Sequence, residues 1–156
     1  MHIEQRIKDL GIELPIGSAP AGHYATAMAS GNLLFLSGKT PLAVDGKAPK
    51  GRLGSDYSTN EGYELARSAC IHLLAAIKAE IGSLDNLVQV VELHGSLCTV
   101  AEFEEHARVL DGASDLLVEV FGPQVGMHAR SVIGVYSLRN GAPLTLKATV
   151  EFRIYS

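Results

Sequence analysis

The sequence predicts an α+β fold: one sheet with two long helices packed on the same face. Three observations carry that prediction. Five short segments rich in β-branched, aromatic and leucine residues are set apart by turn signals. Two longer segments repeat apolar residues at the spacing of an amphipathic helix. Their order along the chain is strand, strand, helix, strand, helix, strand, strand, with no internal repeat, low-complexity tract or linker between them.

Each element has its own signal. Ile3, Ile7 and Leu10 place a short helix over residues 2–10, stopped by Gly11. The stretch IELPIGSAPAG, residues 12–22, is rich in Pro and Gly and is expected to be an extended arm. Residues 1–22 are therefore an N-terminal helix and arm on a single domain spanning 1–156. Residues 24–30 alternate weakly and pass through Gly31-Asn32 into LLFLSGKT, which predicts a hairpin. Residues 41–57 hold several Gly and Pro and few large apolar residues, so they form a loop long enough to suspect a function.

Ser58-Thr59-Asn60-Glu61 reads as a capping box. Ala66, Ala69, Cys70, Leu73, Ile77 and Ile81 then follow the helical period until Gly82. The third strand, 87–100, is mostly apolar, as a strand buried on both faces would be. Thr99 to Glu102 reads as a second capping box, with Phe103, Ala107, Leu110, Leu117 and Phe121 on one face of the helix behind it. Asp111-Gly112 predicts a kink or break in that helix. Strand four covers 130–138 and a turn runs over 139–143. Strand five, 144–154, alternates Leu144, Leu146, Ala148, Val150 and Phe152 with Thr145, Lys147, Thr149, Glu151 and Arg153.

Composition narrows the function classes. With 47% hydrophobic and 19% charged residues the chain can bury a real core. A net charge of -4 and a pI near 5.8 give no electrostatic reason to expect nucleic acid. No apolar run approaches the ~20 residues of a membrane span. The N-terminus HIEQRIKDL lacks the apolar core of a secretory signal, and a cytoplasmic location is expected. Cys70 and Cys98 lie in apolar patterns and are expected to be buried free thiols. The six histidines and two cysteines show no ligand spacing, and no phosphate or dinucleotide motif is present, so neither metal nor cofactor is expected.

One residue stands out against this background. Arg130 places a permanent charge where an apolar strand enters the core. The residues alone leave it between an ordinary salt bridge and a fork that binds a carboxylate. GNLLFLSGKTP (31–41), GASDLLVEVFG (112–122) and HARSVIGVYSL (128–138) resemble the YjgF/Rid family, which includes the endoribonuclease L-PSP-like proteins. The resemblance implies a chorismate-mutase-like fold, a homotrimer and small clefts between neighbouring subunits. It further implies hydrolysis of imines or enamines of 2-amino acids to 2-keto acids and ammonia. Arg130 then holds the substrate carboxylate, Tyr24 lines the cleft, and the backbone of Ser37 and Gly38 borders the ligand. Val132 stands where the family has a cysteine, so its backbone and not its side chain is expected to serve in substrate binding, and Thr145 stands where active members have a water-activating glutamate. A threonine hydroxyl can hold water but does not accept a proton near neutrality. His128, two residues before Arg130, is the alternative proton acceptor. Three functions follow: an imine or enamine deaminase, a non-catalytic trimer binding small keto or amino acids, or an endoribonuclease. The acidic pI speaks against the third.

Overall fold

A computed structural model describes residues 2–16, 20 and 22–154. The strands are β1 (Ala27–Ser30), β2 (Leu33–Leu36), β3 (Leu87–Cys98), β4 (Ala129–Val135) and β5 (Leu144–Phe152). The helices are α1 (Ile3–Asp9), α2 (Thr59–Ile81) and α3 (His106–Val125). The strands form one sheet in the order β1-β2-β5-β3-β4. Only the β3–β4 pair is parallel, and such a pair needs a crossover, which α3 supplies. The β1–β2 hairpin turns at Gly31, whose φ of 63° suits glycine. The α+β architecture is the one the sequence predicts.

Alternation along the strands sets the two faces of the sheet. Leu34, Leu93, Leu97, Leu144, Leu146 and Val150 are buried under α2 and α3 with Leu73, Leu74, Leu110, Leu116 and Val120. Thr145, Lys147, Thr149, Glu92, His94 and Ser96 lie on the opposite, open face. β3 is therefore covered on one side by its own chain, not on both as its apolar content predicts. The capping box of α2 is present: Glu61 N–H donates to Ser58 Oγ at 3.1 Å, and Ser58 N–H donates to Glu61 Oε1 at 3.0 Å. The short α1 docks onto the fold, with Ile3 and Ile7 buried and both Ile3 and Glu4 N–H groups donating to Asp85 Oδ1.

Two predicted features of α3 are corrected. Thr99 and Glu102 do not cap it: β3 ends at Cys98, and the helix starts at His106 behind Glu105, which makes no side-chain cap. The helix also runs straight through Asp111-Gly112. Gly112 is buried against α2, where an added Cβ would stand 1.9 Å from the Tyr63 carbonyl oxygen. Its glycine serves close helix–helix approach rather than a break. The real interruption is Gly122-Pro123, with Gly122 at φ 88°. There the Gln89 side-chain amide reaches the carbonyls of Gln124, Val125 and Met127 at and just past the helix end. In the arm, residues 17–19 and 21 lie outside the described residues; β1 begins at Ala27, after Tyr24. Among the described residues no helix is long and apolar enough to cross a membrane.

Candidate functional site

The parallel register puts Arg130, Val132 and Gly134 of β4 beside Leu93, Gly95 and Leu97 of β3, hence on the helix-covered side. There Arg130 meets α3. Ala107, Asp111 and Ser114 recur at i, i+4 and i+7, one stripe of that helix. All three touch the guanidinium. Nη1 donates to Asp111 Oδ1 at 3.0 Å and to Ser114 Oγ at 3.0 Å; Nη2 donates to the Ala107 carbonyl at 3.4 Å. The Nε–H and the second Nη2–H have no partner among the described residues. The side chain is 28% exposed. One edge of the fork is thus anchored and the other remains wet.

His128 completes this arrangement from behind. Its Nδ1 lies 2.7 Å from the Gly126 carbonyl, which can only accept, so Nδ1 carries the proton. In the neutral ring Nε2 then accepts from the Ser114 hydroxyl, 2.9 Å away. Ser114 in turn accepts from Arg130. The histidine therefore orients Arg130 through Ser114, and both its ring nitrogens are engaged. Val132 is partly buried against the core, and Gly134 makes room for His106, whose Nε2 would sit 2.7 Å from an added Cβ.

Ser37, Gly38 and Thr145 gather elsewhere, beside the chain that follows Tyr24. The Ser37 hydroxyl donates to the Ala25 carbonyl at 2.6 Å, fixing the chain next to Tyr24, which is 55% exposed. Lys39 and Leu146 exchange backbone hydrogen bonds of 2.7 and 2.9 Å, which lay Ser37-Gly38 along the start of β5. An added Cβ on Gly38 would stand 2.8 Å from Thr145 Oγ1. Glycine is thus what lets this backbone approach the threonine. Thr145 pairs with Ser96 on the open face, two strands from β4 and on the opposite side of the sheet from Arg130. One chain therefore carries two separate groups of the expected site residues.

The open face holds further polar contacts. His94 Nδ1 lies 2.6 Å from Ser131 Oγ, while His94 Nε2 meets Glu92 Oε1, with Lys147 across the strand pair. Met28, Phe35 and Ile133 share this face at 62%, 45% and 57% exposure. Among the described residues no group of three or more His, Cys, Asp or Glu could hold a metal.

Comparison with known proteins settles the lineage. The profile of the family described as "YjgF/chorismate mutase-like, putative endoribonuclease" matches residues 4–144. The chain belongs to the YjgF family. Protein TCP17 of Trypanosoma cruzi is 36% identical over 150 residues, covering 96% of this chain and 94% of its own. The crystal structure of a Shewanella oneidensis protein described as a "putative endoribonuclease" is 33% identical with TM-score 0.91, covering 96% of this chain and 99% of that one. Atu1372 of Agrobacterium tumefaciens, described as of unknown function, is 35% identical with TM-score 0.88 over 97% of this chain and 92% of its own.

Within this family member, sequence reasoning passed over Asp111 and Ser114. Ser114 lies inside the GASDLLVEVFG stretch and Asp111 directly precedes it. Their shared stripe with Ala107 was readable, but only the β4 register shows that this stripe faces Arg130.

Proposed function

We propose that this protein binds a small carboxylate, a 2-imino, 2-amino or 2-keto acid, in clefts formed between copies of the chain in a homotrimer. The reaction class is hydrolysis of the imine or enamine. The observation that carries the reading is Arg130: an oriented guanidinium with one wet edge, whose free donors suit a carboxylate. Two further features support the assembly. Thr145, with Gly38 packed against it, lies on the other face of the sheet from Arg130, so one cleft holding both, with Ser37 and Tyr24 nearby in the chain, takes Arg130 from one copy and the rest from its neighbour. The open face also exposes Met28 beside Phe35 at one edge of the sheet and Ile133 on the strand at the other edge, apolar area that neighbouring copies would cover.

Thr145 limits the chemistry. Its hydroxyl can hold the attacking water but cannot take its proton near neutrality. His128 has both nitrogens occupied by Gly126 and Ser114, which favours an orienting role over proton transfer. Slow turnover follows, and a purely binding role is the second reading that this threonine favours.

Titration calorimetry with pyruvate and 2-ketobutyrate tests the site. Arg130→Ala should abolish binding with the fold intact, and Arg130→Lys should restore only part of it, because an ammonium cannot pair bidentately. Equal affinity in wild type and Arg130→Ala would overturn the assignment. Light scattering should give a trimer at micromolar concentration; a monomer would overturn the shared cleft. Ammonia release from freshly generated 2-aminoacrylate, run beside RNA cleavage, separates deaminase from binder and nuclease.

A further inference from the structure

The charge beside the fork has a consequence for which acids enter it, and this rests on the carboxylate site proposed above. Asp111 holds Nη1 of Arg130 at 3.0 Å, and its side chain is 46% exposed. The same carboxylate lines a hollow of about 320 Å³ between α2 and α3, together with Thr59, Asn60, Tyr63, Arg108 and Asp115. The charges around it are therefore Arg130 and Arg108 on one sign and Asp115, four residues on, on the other. Asp115 is engaged by the Tyr63 hydroxyl at 2.6 Å. Arg108 lies 3.8 Å from Glu105. Arg130 thus begins already paired, and a ligand carboxylate on its free edge becomes a second anion on one guanidinium.

We infer that Asp111 makes the Arg130 site selective for acids with a protonated nitrogen on the carbon next to the carboxylate. A 2-keto acid brings only its negative charge and meets the repulsion of Asp111 in full. A 2-amino or 2-iminium acid brings a compensating cation one carbon away, which offsets that repulsion through the field of Asp111 across the guanidinium. Arg130 cannot swing away to relieve the repulsion, because Ser114, itself held by His128, anchors the same Nη1. The arrangement also suits turnover. Hydrolysis of an iminium acid removes the cation, so the site converts a ligand it favours into a keto acid it disfavours, and product leaves.

The experiment compares isosteric pairs by titration calorimetry: alanine with pyruvate, and 2-aminobutyrate with 2-ketobutyrate. Asp111→Asn should tighten the keto acids and weaken the amino acids. A partly exposed charge contributes a few-fold to each, so the selectivity ratio should fall about 10-fold. Asp111→Glu, which keeps the charge, should retain most of the ratio. On the unaltered protein, raising salt from about 0.02 M to about 0.5 M should compress the same ratio, since a half-exposed charge is screened. An unchanged ratio in Asp111→Asn and in high salt, with Arg130→Ala still abolishing binding, overturns the selectivity and leaves the carboxylate site standing. If Arg130→Ala binds both members of each pair like wild type, the carboxylate site falls and this inference with it.

Discussion

Gly112→Ala distinguishes two accounts of α3 by the sign of its effect. An alanine Cβ at this position would lie 1.9 Å from the Tyr63 carbonyl oxygen, 2.8 Å from its carbonyl carbon and 3.2 Å from the Arg67 backbone nitrogen. Ordinary contact begins at 3.4 Å, so the oxygen would stand about 1.5 Å too close. The atoms in the way are backbone of α2 and cannot rotate aside. The two helices must separate, opening gaps among the buried residues between them. Overpacking a core costs typically ~1–3 kcal/mol, and a backbone obstacle puts this site at the upper end or beyond. Alanine recovers about 1 kcal/mol of helix propensity. The net expectation is a loss of about 2 kcal/mol or more. For a chain of this size that lowers Tm by roughly 4–8 °C at least. Had Gly112 been a helix break in an open position, the same substitution would raise stability by about 1 kcal/mol. Thermal unfolding followed by far-UV circular dichroism, at matched protein concentration, decides between them. A Tm at or above that of wild type would refute the packing argument. Separation of the helices also shifts Asp111 and Ser114 away from Arg130, so carboxylate binding should weaken in the folded variant.

Tyr63 donates to the Asp115 carboxylate at 2.6 Å, and that hydrogen bond, with burial and the Asp115 charge, pushes the phenol up to about 12. The contribution to stability is fully present below tyrosine's usual ~10 and is lost as pH rises through about 12. Spectrophotometric titration should show one of the five tyrosines ionising late, and Tyr63→Phe should remove that phase; a late phase that persists in the variant assigns it elsewhere. Burial likewise pushes the Cys70 thiol up to about 12, so iodoacetamide at neutral pH should label it only after unfolding, and rapid labelling of the native protein read by peptide mass would contradict its burial. Thr145→Glu should raise 2-aminoacrylate hydrolysis about 10-fold, the low end of what a placed acid–base group supplies. Rapid turnover by the wild type, or no gain while Arg130 still binds keto acids, would count against a missing carboxylate as the limit.

Local signals in the sequence determined most of the elements, because each rests on residues near one another in the chain. Gly31-Asn32 suffices for the hairpin, Ser58 with Glu61 for the start of α2, and the alternation from Leu144 to Val150 for the two faces of β5. The motifs around Ser37-Gly38 and Arg130 were enough to point to the family, and the α+β architecture came with them. The tertiary structure alone decided what depends on atoms far apart in the chain. Gly112 reads as a breaker by propensity, and only the backbone of α2 beside it turns that glycine into a packing requirement. Asp111 and Ser114 look like surface polar residues, and His128 like a proton acceptor rather than a prop, until the parallel β3–β4 register brings the α3 stripe onto Arg130. The same register puts Arg130 and Thr145 on opposite faces of the sheet, though they are only fifteen residues apart in sequence. Side-chain alternation is local and can be counted; which strand lies beside which is set by burial of the whole core, and that choice places the charge.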